Sequence, residues 1–288
     1  MRLESLIKLK DALDYMETQM EERLNIEEIA KVACMSTFHF QRMFQMLTGF
    51  TVAEYIRKRK LTLAAQELAA TAIKVLDLSL KYGYDSPESF SKAFRKIHGI
   101  TPSEARIEGV NLKAFPRITF NLSLKGDKEM DYRIEEKPTF TVIGKMLHTT
   151  CKNGENLQNI PRFWEESNQN GTVDELMDMA VDDKSLGICF DMNFDTEEFS
   201  YMIACRAKAN ATSETYTIRE VPALKWAVFT NIGPVPTTLQ KTIARVYQEW
   251  FPATGFEHSG GPDMEVYDSG DIFADDYKTE IWVPIIKK

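Results

Sequence analysis

Residues 38–51, FHFQRMFQMLTGFT, and residues 88–101, ESFSKAFRKIHGIT, superimpose at an offset of 50. They share two aromatics, a basic position and a Gly-x-Thr ending. A chain that writes the same segment twice has to fold the same small helical unit twice. In the first copy Phe40, Met43, Phe44 and Leu47 recur at i, i+3, i+4 and i+7, the stripe of a helix packed on a core, and Ser36 stands where an N-cap belongs. Upstream, Asn25 with Glu28 three residues on opens another short helix, and only Cys34 and Met35 separate it from Ser36. Two short helices across so tight a turn predict a helix-turn-helix. The second copy repeats the pattern with Phe90, Ala93, Phe94 and Ile97, a cap at Ser86, Pro87 at the first helical position and Gly83 ending the preceding helix. The next helix also starts alike in both, with capping boxes Thr51–Glu54 and Thr101–Glu104.

Duplication of a helix-turn-helix suits a periodic target. Successive major-groove faces of B-DNA lie about 34 Å apart. Between the units, TVAEYIRKRKLTLAAQELAA predicts one helix of 20 residues, roughly 30 Å at 1.5 Å per residue. It carries Arg57-Lys58-Arg59-Lys60, the densest basic run, of which Arg57 and Arg59 are taken as phosphate contacts. The faces opposite the apolar stripes present Ser36, Thr37, Phe38, Gln41, Arg42 and Gln45 in the first unit and Ser86, Glu88, Ser89, Ser91, Lys92 and Arg95 in the second. Gln and Arg suit adenine and guanine edges, and an aromatic can meet a thymine methyl. The first unit is therefore expected to read sequence, with the second giving more phosphate contacts.

Composition bounds the rest. With 288 residues, 43% hydrophobic and 27% charged, the chain predicts two globular domains. No apolar run reaches the ~18 residues of a membrane span, and MRLESLIKLKDALDYM has no signal-peptide core. Cys34, Cys151, Cys189 and Cys205 form no CxxC pair and the four His are dispersed, so no metal or cofactor is expected, and a reducing cytoplasm is. Residues 1–106 hold 16 basic and 14 acidic residues, the remainder 19 and 29. A slightly basic front end thus precedes an acidic back end.

Residues 6–106 resemble the DNA-binding domain of AraC/XylS-type transcription regulators, on the strength of IEEIAKVACMSTFHFQRMFQMLTGFTVAEYIRKRKL and YGYDSPESFSKAFRKIHGITPSEAR. The resemblance implies a seven-helix, double helix-turn-helix domain, two recognition helices in adjacent major grooves and binding of double-stranded promoter DNA in the bacterial cytoplasm, with RNA polymerase as a further partner. Two reading units per chain, without a heptad run, favour a monomer on DNA.

After Arg106 the periodicity changes. Residues 107–115 read as a linker, with the domain boundary placed at 110/111, and RITFNLSLKG alternates as a strand. YRIEEKPTFTVIGK from Tyr132 pairs with YTIREVPALKWAVF from Tyr216 at an offset of 84. Each is followed by a helical segment and two strands, so residues 111–288 predict an α+β domain of duplicated β-α-β-β halves with a ligand cleft between them. An offset of 78 aligns the last strands and puts Met202 at the place of Glu280. Ile281, Val283 and Ile285 form one face of that strand, so Glu280 and Trp282 share the other. A carboxylate beside an aromatic suits an organic cation. The residues alone leave Glu280 open between that role and an ordinary solvent-facing strand position.

The doubled YxIxExP, IGPVP and the closing TEIWVPI make residues 131–288 similar to the GyrI-like effector-binding domain. That resemblance implies that Glu280 and Trp164 line the ligand cleft. Tyr201, Trp226, Tyr267 and Phe273 join them as candidates by ring type and rough position, whereas Trp250 and Phe251 read as core. Together the two resemblances imply a multidrug-type regulator, not an enzyme, that answers to a small lipophilic or cationic effector. The alternatives are a hydrolase of small electrophiles with Glu280 as general base, and a protein-binding modulator of a DNA-handling enzyme.

Overall fold

The computed structural model of the chain describes residues 3–119, 130–208 and 210–287. These fall into two compact units, 3–119 and 130–287.

The first unit is helical: α1 (Leu3–Thr18), α2 (Ile26–Val32), α3 (Thr37–Thr48), α4 (Val52–Ala70), α5 (Val75–Lys81) and α6 (Pro87–His98). The caps are those the duplication predicts. Ser36 accepts from the His39 N–H and Ser86 from the Ser89 N–H, while Gly49 and Gly99 end α3 and α6 in the left-handed region at φ 77° and 80°. Helix α4 serves both copies: its Tyr55 ring lies 5.6 Å from Phe44, and its Leu61, Ala64, Ala65 and Leu68 pack with Leu78, Tyr82, Phe90 and Phe94. The seventh helical element is brief. The Thr101–Glu104 capping box forms reciprocally, yet only a 3-10 turn over Glu104–Arg106 follows before Gly109 takes φ 82°.

His98 is buried at the end of α6, with Nε2 3.1 Å from the Leu61 carbonyl and Nδ1 without a partner. Burial pushes the imidazole below its ordinary value, the carbonyl opposes this, and Lys113 adds to it. The native state therefore binds fewer protons than the unfolded chain, so this contribution to stability is present in full at neutral pH. It should be lost as pH falls below about 6.5 toward the depressed folded value. Thermal melts of wild type against His98→Gln from pH 7.5 to 5 check this: the wild-type melting temperature should fall more steeply.

Residues 107–119, read from sequence as a linker and the start of the second domain, pack on the first unit. The Phe115 ring stands edge-on to Phe50 at 5.1 Å and to Tyr55 at 6.0 Å. The Phe115 N–H donates to Thr62 Oγ1 at 3.0 Å and its carbonyl accepts from Arg59 at 2.8 Å, while Arg117 pairs with Asp14. The strand expected from Arg117 onward is absent over Arg117–Thr119, and the rest of it lies outside the described residues.

The second unit contains β1 (Tyr132–Lys137), β2 (Phe140–Thr150), α7 (Asn156–Gln169), α8 (Thr172–Asp178), β3 (Ser185–Asn193) and β4 (Glu198–Ala207), then β5 (Thr217–Val221), β6 (Leu224–Ile232), α9 (Thr237–Arg245), β7 (Phe256–His258), β8 (Asp263–Tyr267) and β9 (Lys278–Lys287). The first strand of each half is broken at a proline, Pro138 or Pro222, and the two pieces part company: β1 pairs with β6 of the other half, and β5 with β2. The sheet order β1-β6-β9-β8-β3-β4-β2-β5 is thus pseudo-twofold about the β8–β3 pair, with β7 added against β9. Flat, it would set β1 roughly 30 Å from β2 at 4.8 Å per strand. Two residues, Pro138 and Thr139, make that connection and span only about 10 Å, so the sheet has to curl. Its inner face becomes a core in which Trp226, Val142, Ile188 and Met202 are fully buried. Its outer face carries the helices.

Candidate functional site

On the first unit, α3 and α6 present the residues expected to meet DNA. Thr37, Phe38, Gln41, Arg42 and Gln45 are half-exposed on α3, with the Gln45 Oε1 buried and unpartnered. Glu88, Ser89, Lys92 and Arg95 are exposed on α6, and Ser91 half so. The hydroxyls of Ser36 and Ser86 are committed to the helix N-caps, and that of Ser89 donates to the Ser86 carbonyl.

The basic run on α4 requires a correction. Arg57 is exposed as expected, but Arg59 is not a free phosphate ligand. Its guanidinium grips Glu17 at 2.7 and 2.8 Å and the Phe115 carbonyl, and both side chains of the pair are 11% exposed. Burial alone would push the Glu17 carboxyl up, yet hydrogen bonds from Arg59 and Tyr55 hold it below its ordinary value. Lys58 sits 4.3 Å over the Phe50 ring and pairs with Glu54, and the buried Lys60 donates to the Glu22 and Tyr82 carbonyls. A helix of 3.6 residues per turn cannot turn four consecutive residues toward one partner. The run points around the helix, and only Arg57 reaches solvent fully.

On the second unit, six of the seven residues predicted for ligand binding divide between the two faces of the sheet, and the seventh, Phe273, lies on neither. Trp164, Tyr201 and Tyr267 meet on the helix-bearing face, around a carboxylate that the sequence reading did not select: Glu265. Tyr201 Oη donates to Glu265 Oε2 at 2.7 Å, Tyr267 Oη to the same oxygen at 2.8 Å, and Trp164 Nε1 to Tyr201 Oη at 2.9 Å. The Trp164 and Tyr267 rings stand 5.1 Å apart at 63°. Helices α7 and α8 lie over β2 and β4, and α9 over β6 and β9, so the central strands β3 and β8 lie between two helical layers. Trp164 reaches over this groove, whose floor is Glu265. Burial pushes the Glu265 carboxyl above its ordinary value while the two phenols pull against it, and burial beside that carboxylate holds both phenols well above theirs.

Glu280, Trp282 and Trp226 belong to the opposite, inner face and do not line this groove. Glu280 is paired with Arg133 at 2.8 Å and accepts from Trp282 Nε1 at 2.9 Å. Arg133 and Lys137 lie 5.6 and 5.3 Å from the Trp282 ring, so the cations that this ring faces are the protein's own. Trp226 is fully buried against Trp282 at 5.9 Å. Phe273 is 70% exposed in the β8–β9 loop, off both faces. Trp250 and Phe251 are core, as expected. The strand parity of Glu280 is as the sequence indicates, but both faces of a curled sheet are lined with apolar side chains, and the helices cover the other one. A signal for Glu265 was present: the offset of 78 that relates Met202 to Glu280 also relates Gly187 to Glu265, a carboxylate between the apolar Met264 and Val266.

A duplicated helix-turn-helix joined to a sheet-and-helix domain with a carboxylate-floored groove defines a DNA-binding transcription regulator with an effector domain. The chain belongs to the family of integron-associated effector binding proteins through residues 133–285, and residues 29–107 match a helix-turn-helix domain family of the AraC type. Over the first unit it is 41% identical to the transposon Tn10 TetD protein of Escherichia coli across 98 residues, 34% of this chain and 71% of that protein. It is 37% identical to the HTH-type transcriptional activator AarP of Providencia stuartii across 99 residues, 34% of this chain and 73% of that one. Among solved structures, SAV2435 bound to tetraphenylphosphonium is 27% identical, covering 55% of this chain and 94% of that one with a TM-score of 0.49.

Proposed function

We propose that the second unit senses a lipophilic monovalent cation in the groove above Glu265, and that occupancy changes how the first unit engages promoter DNA. The observation that carries this reading is the Glu265 array itself: a half-buried carboxylate hydrogen-bonded by two phenols, with the Trp164 indole donating to one phenol and standing against the ring of the other. A carboxylate drawn partly out of water, with no ion pair among the described residues, is costly, and an aromatic cation supplies the missing charge while covering the rings. Coupling to DNA requires only that the ligand bind the two states of the regulator with different affinity. On the DNA side, Gln41, Arg42 and Gln45 of α3 are assigned to base edges, and Lys92 and Arg95 of α6 with Arg57 of α4 to phosphates. The protein is read as a monomer acting on chromosomal DNA in the cytoplasm, with RNA polymerase as its further partner.

Calorimetric titration of the intact protein with tetraphenylphosphonium tests the effector half, with neutral triphenylphosphine oxide as control. Saturable binding of the cation, at least tenfold tighter than the neutral compound, is expected. Equal affinity for the two would sink the charge argument, and chemical turnover of a small electrophile at Glu265 would reassign the groove to catalysis.

A further inference from the structure

A twofold-repeated sheet offers two equivalent halves of a cleft, yet this one carries its chemistry on one side only. Gly187 and Glu265 are equivalent positions at the offset of 78, and they also face each other as direct cross-strand partners in the β3–β8 pair. They therefore mark the centre of the pseudo-twofold. The neighbouring equivalents have diverged as well: Cys189 stands in the place of Tyr267, and Thr279 in that of Tyr201. Two carboxylates directly opposite each other would repel. The solution here is a carboxylate on one strand and no side chain on the other.

That bare position is occupied in space. A Cβ built on Gly187 would overlap the Tyr201 hydroxyl outright, and would lie 2.9 Å from Tyr201 Cζ and 2.7 Å from Glu265 Oε2. Tyr201 is almost fully buried and its hydroxyl is fixed between the Trp164 indole and the Glu265 carboxylate, so it cannot give way without breaking one of these bonds. We propose that Gly187 is the positioning residue of the groove, admitting the Tyr201 hydroxyl to the symmetry centre so that the domain presents a single carboxylate and takes one monovalent cation. The ligand half of this inference rests on the cation reading above. The geometric half does not.

The experiment uses the full-length protein and Gly187→Ala. The Trp164 indole N–H, assigned by its loss in Trp164→Phe, is followed by nuclear magnetic resonance without ligand, and tetraphenylphosphonium is then titrated into both proteins. In Gly187→Ala the indole resonance should shift and exchange with solvent faster, and the cation should bind at least tenfold more weakly. Wild type should take one cation per chain. Because the added methyl also strains the fold, Gly187→Ala/Tyr201→Phe is melted alongside and should recover part of the lost melting temperature, since the displaced hydroxyl is gone. An unmoved indole signal with wild-type affinity in Gly187→Ala overturns the proposal, as do two cations per wild-type chain. If wild type binds no cation while the indole signal still moves, the cation reading falls and the positioning role of Gly187 stands.

Discussion

Arg59→Ala is expected to destabilise the first unit by about 3 kcal/mol, the lower end of what breaking a buried pair from one side costs. The guanidinium neutralises Glu17, and the same group holds the Phe115 carbonyl and so fastens residues 107–119 to α1 and α4. Removing it leaves Glu17, among the described residues, with the Tyr55 hydroxyl at 2.6 Å as its remaining hydrogen-bond donor and leaves the Phe115 carbonyl without the Arg59 donor. Arg57→Ala, one side chain away in the same basic run, should change stability by no more than ~0.5 kcal/mol because its side chain is exposed. Its effect should fall on DNA: weaker binding to all sequences alike, with the salt dependence reduced by about one phosphate contact. Denaturant melts and DNA titrations at several salt concentrations separate the two. If Arg59→Ala kept its stability and lost a phosphate contact instead, the structural assignment of Arg59 would be wrong.

The contrast between these two arginines shows what the sequence could and could not reveal. Periodicity located α3, α4 and α6 because their apolar stripes, caps and terminal glycines are local features, written within a turn or two of the residues they shape. Lys58, Arg59 and Lys60 read as a phosphate-binding run because charge is local too, but what a charge faces is not. Glu17 lies 42 residues from Arg59 and Phe115 lies 56, distances along the chain at which sequence pattern is silent. The second unit repeats the lesson. Offsets of 84 and 78 expose the duplication and the strand parity of Glu280. They do not tell which face the helices cover, because that follows from β1 and β5 crossing to the opposite half and from the sheet curling on itself. Trp164, Tyr201 and Tyr267 are legible in the sequence as isolated aromatics; the residue that unites them is hard to single out, because Glu265 sits in a short strand where one carboxylate looks solvent-facing.

Glu265→Gln should make the protein more stable at neutral pH and at the same time cost it the cation. A carboxyl raised above its ordinary value in the folded state contributes its stability in full below the unfolded value, near 4.5, and loses it as pH rises through the raised folded value. At pH 7, above the unfolded value, this group is therefore a net burden on the unliganded fold. Glutamine keeps an acceptor oxygen for the Tyr201 and Tyr267 hydroxyls and removes the charge, so the melting temperature of the second unit should rise at pH 7 and approach that of wild type toward pH 4.5. Binding runs the other way. The cation needs the ionised form, so wild-type affinity for tetraphenylphosphonium should increase with pH through the same point, and Glu265→Gln should bind at least tenfold more weakly, about 1.4 kcal/mol, with no such slope. Opposite pH dependences of stability and affinity, both abolished by one isosteric change, are what a carboxylate held ready for a ligand produces. A structural acid would behave differently: its replacement would lower the melting temperature at pH 7 and leave the titration unchanged, and that result would remove Glu265 from the effector site.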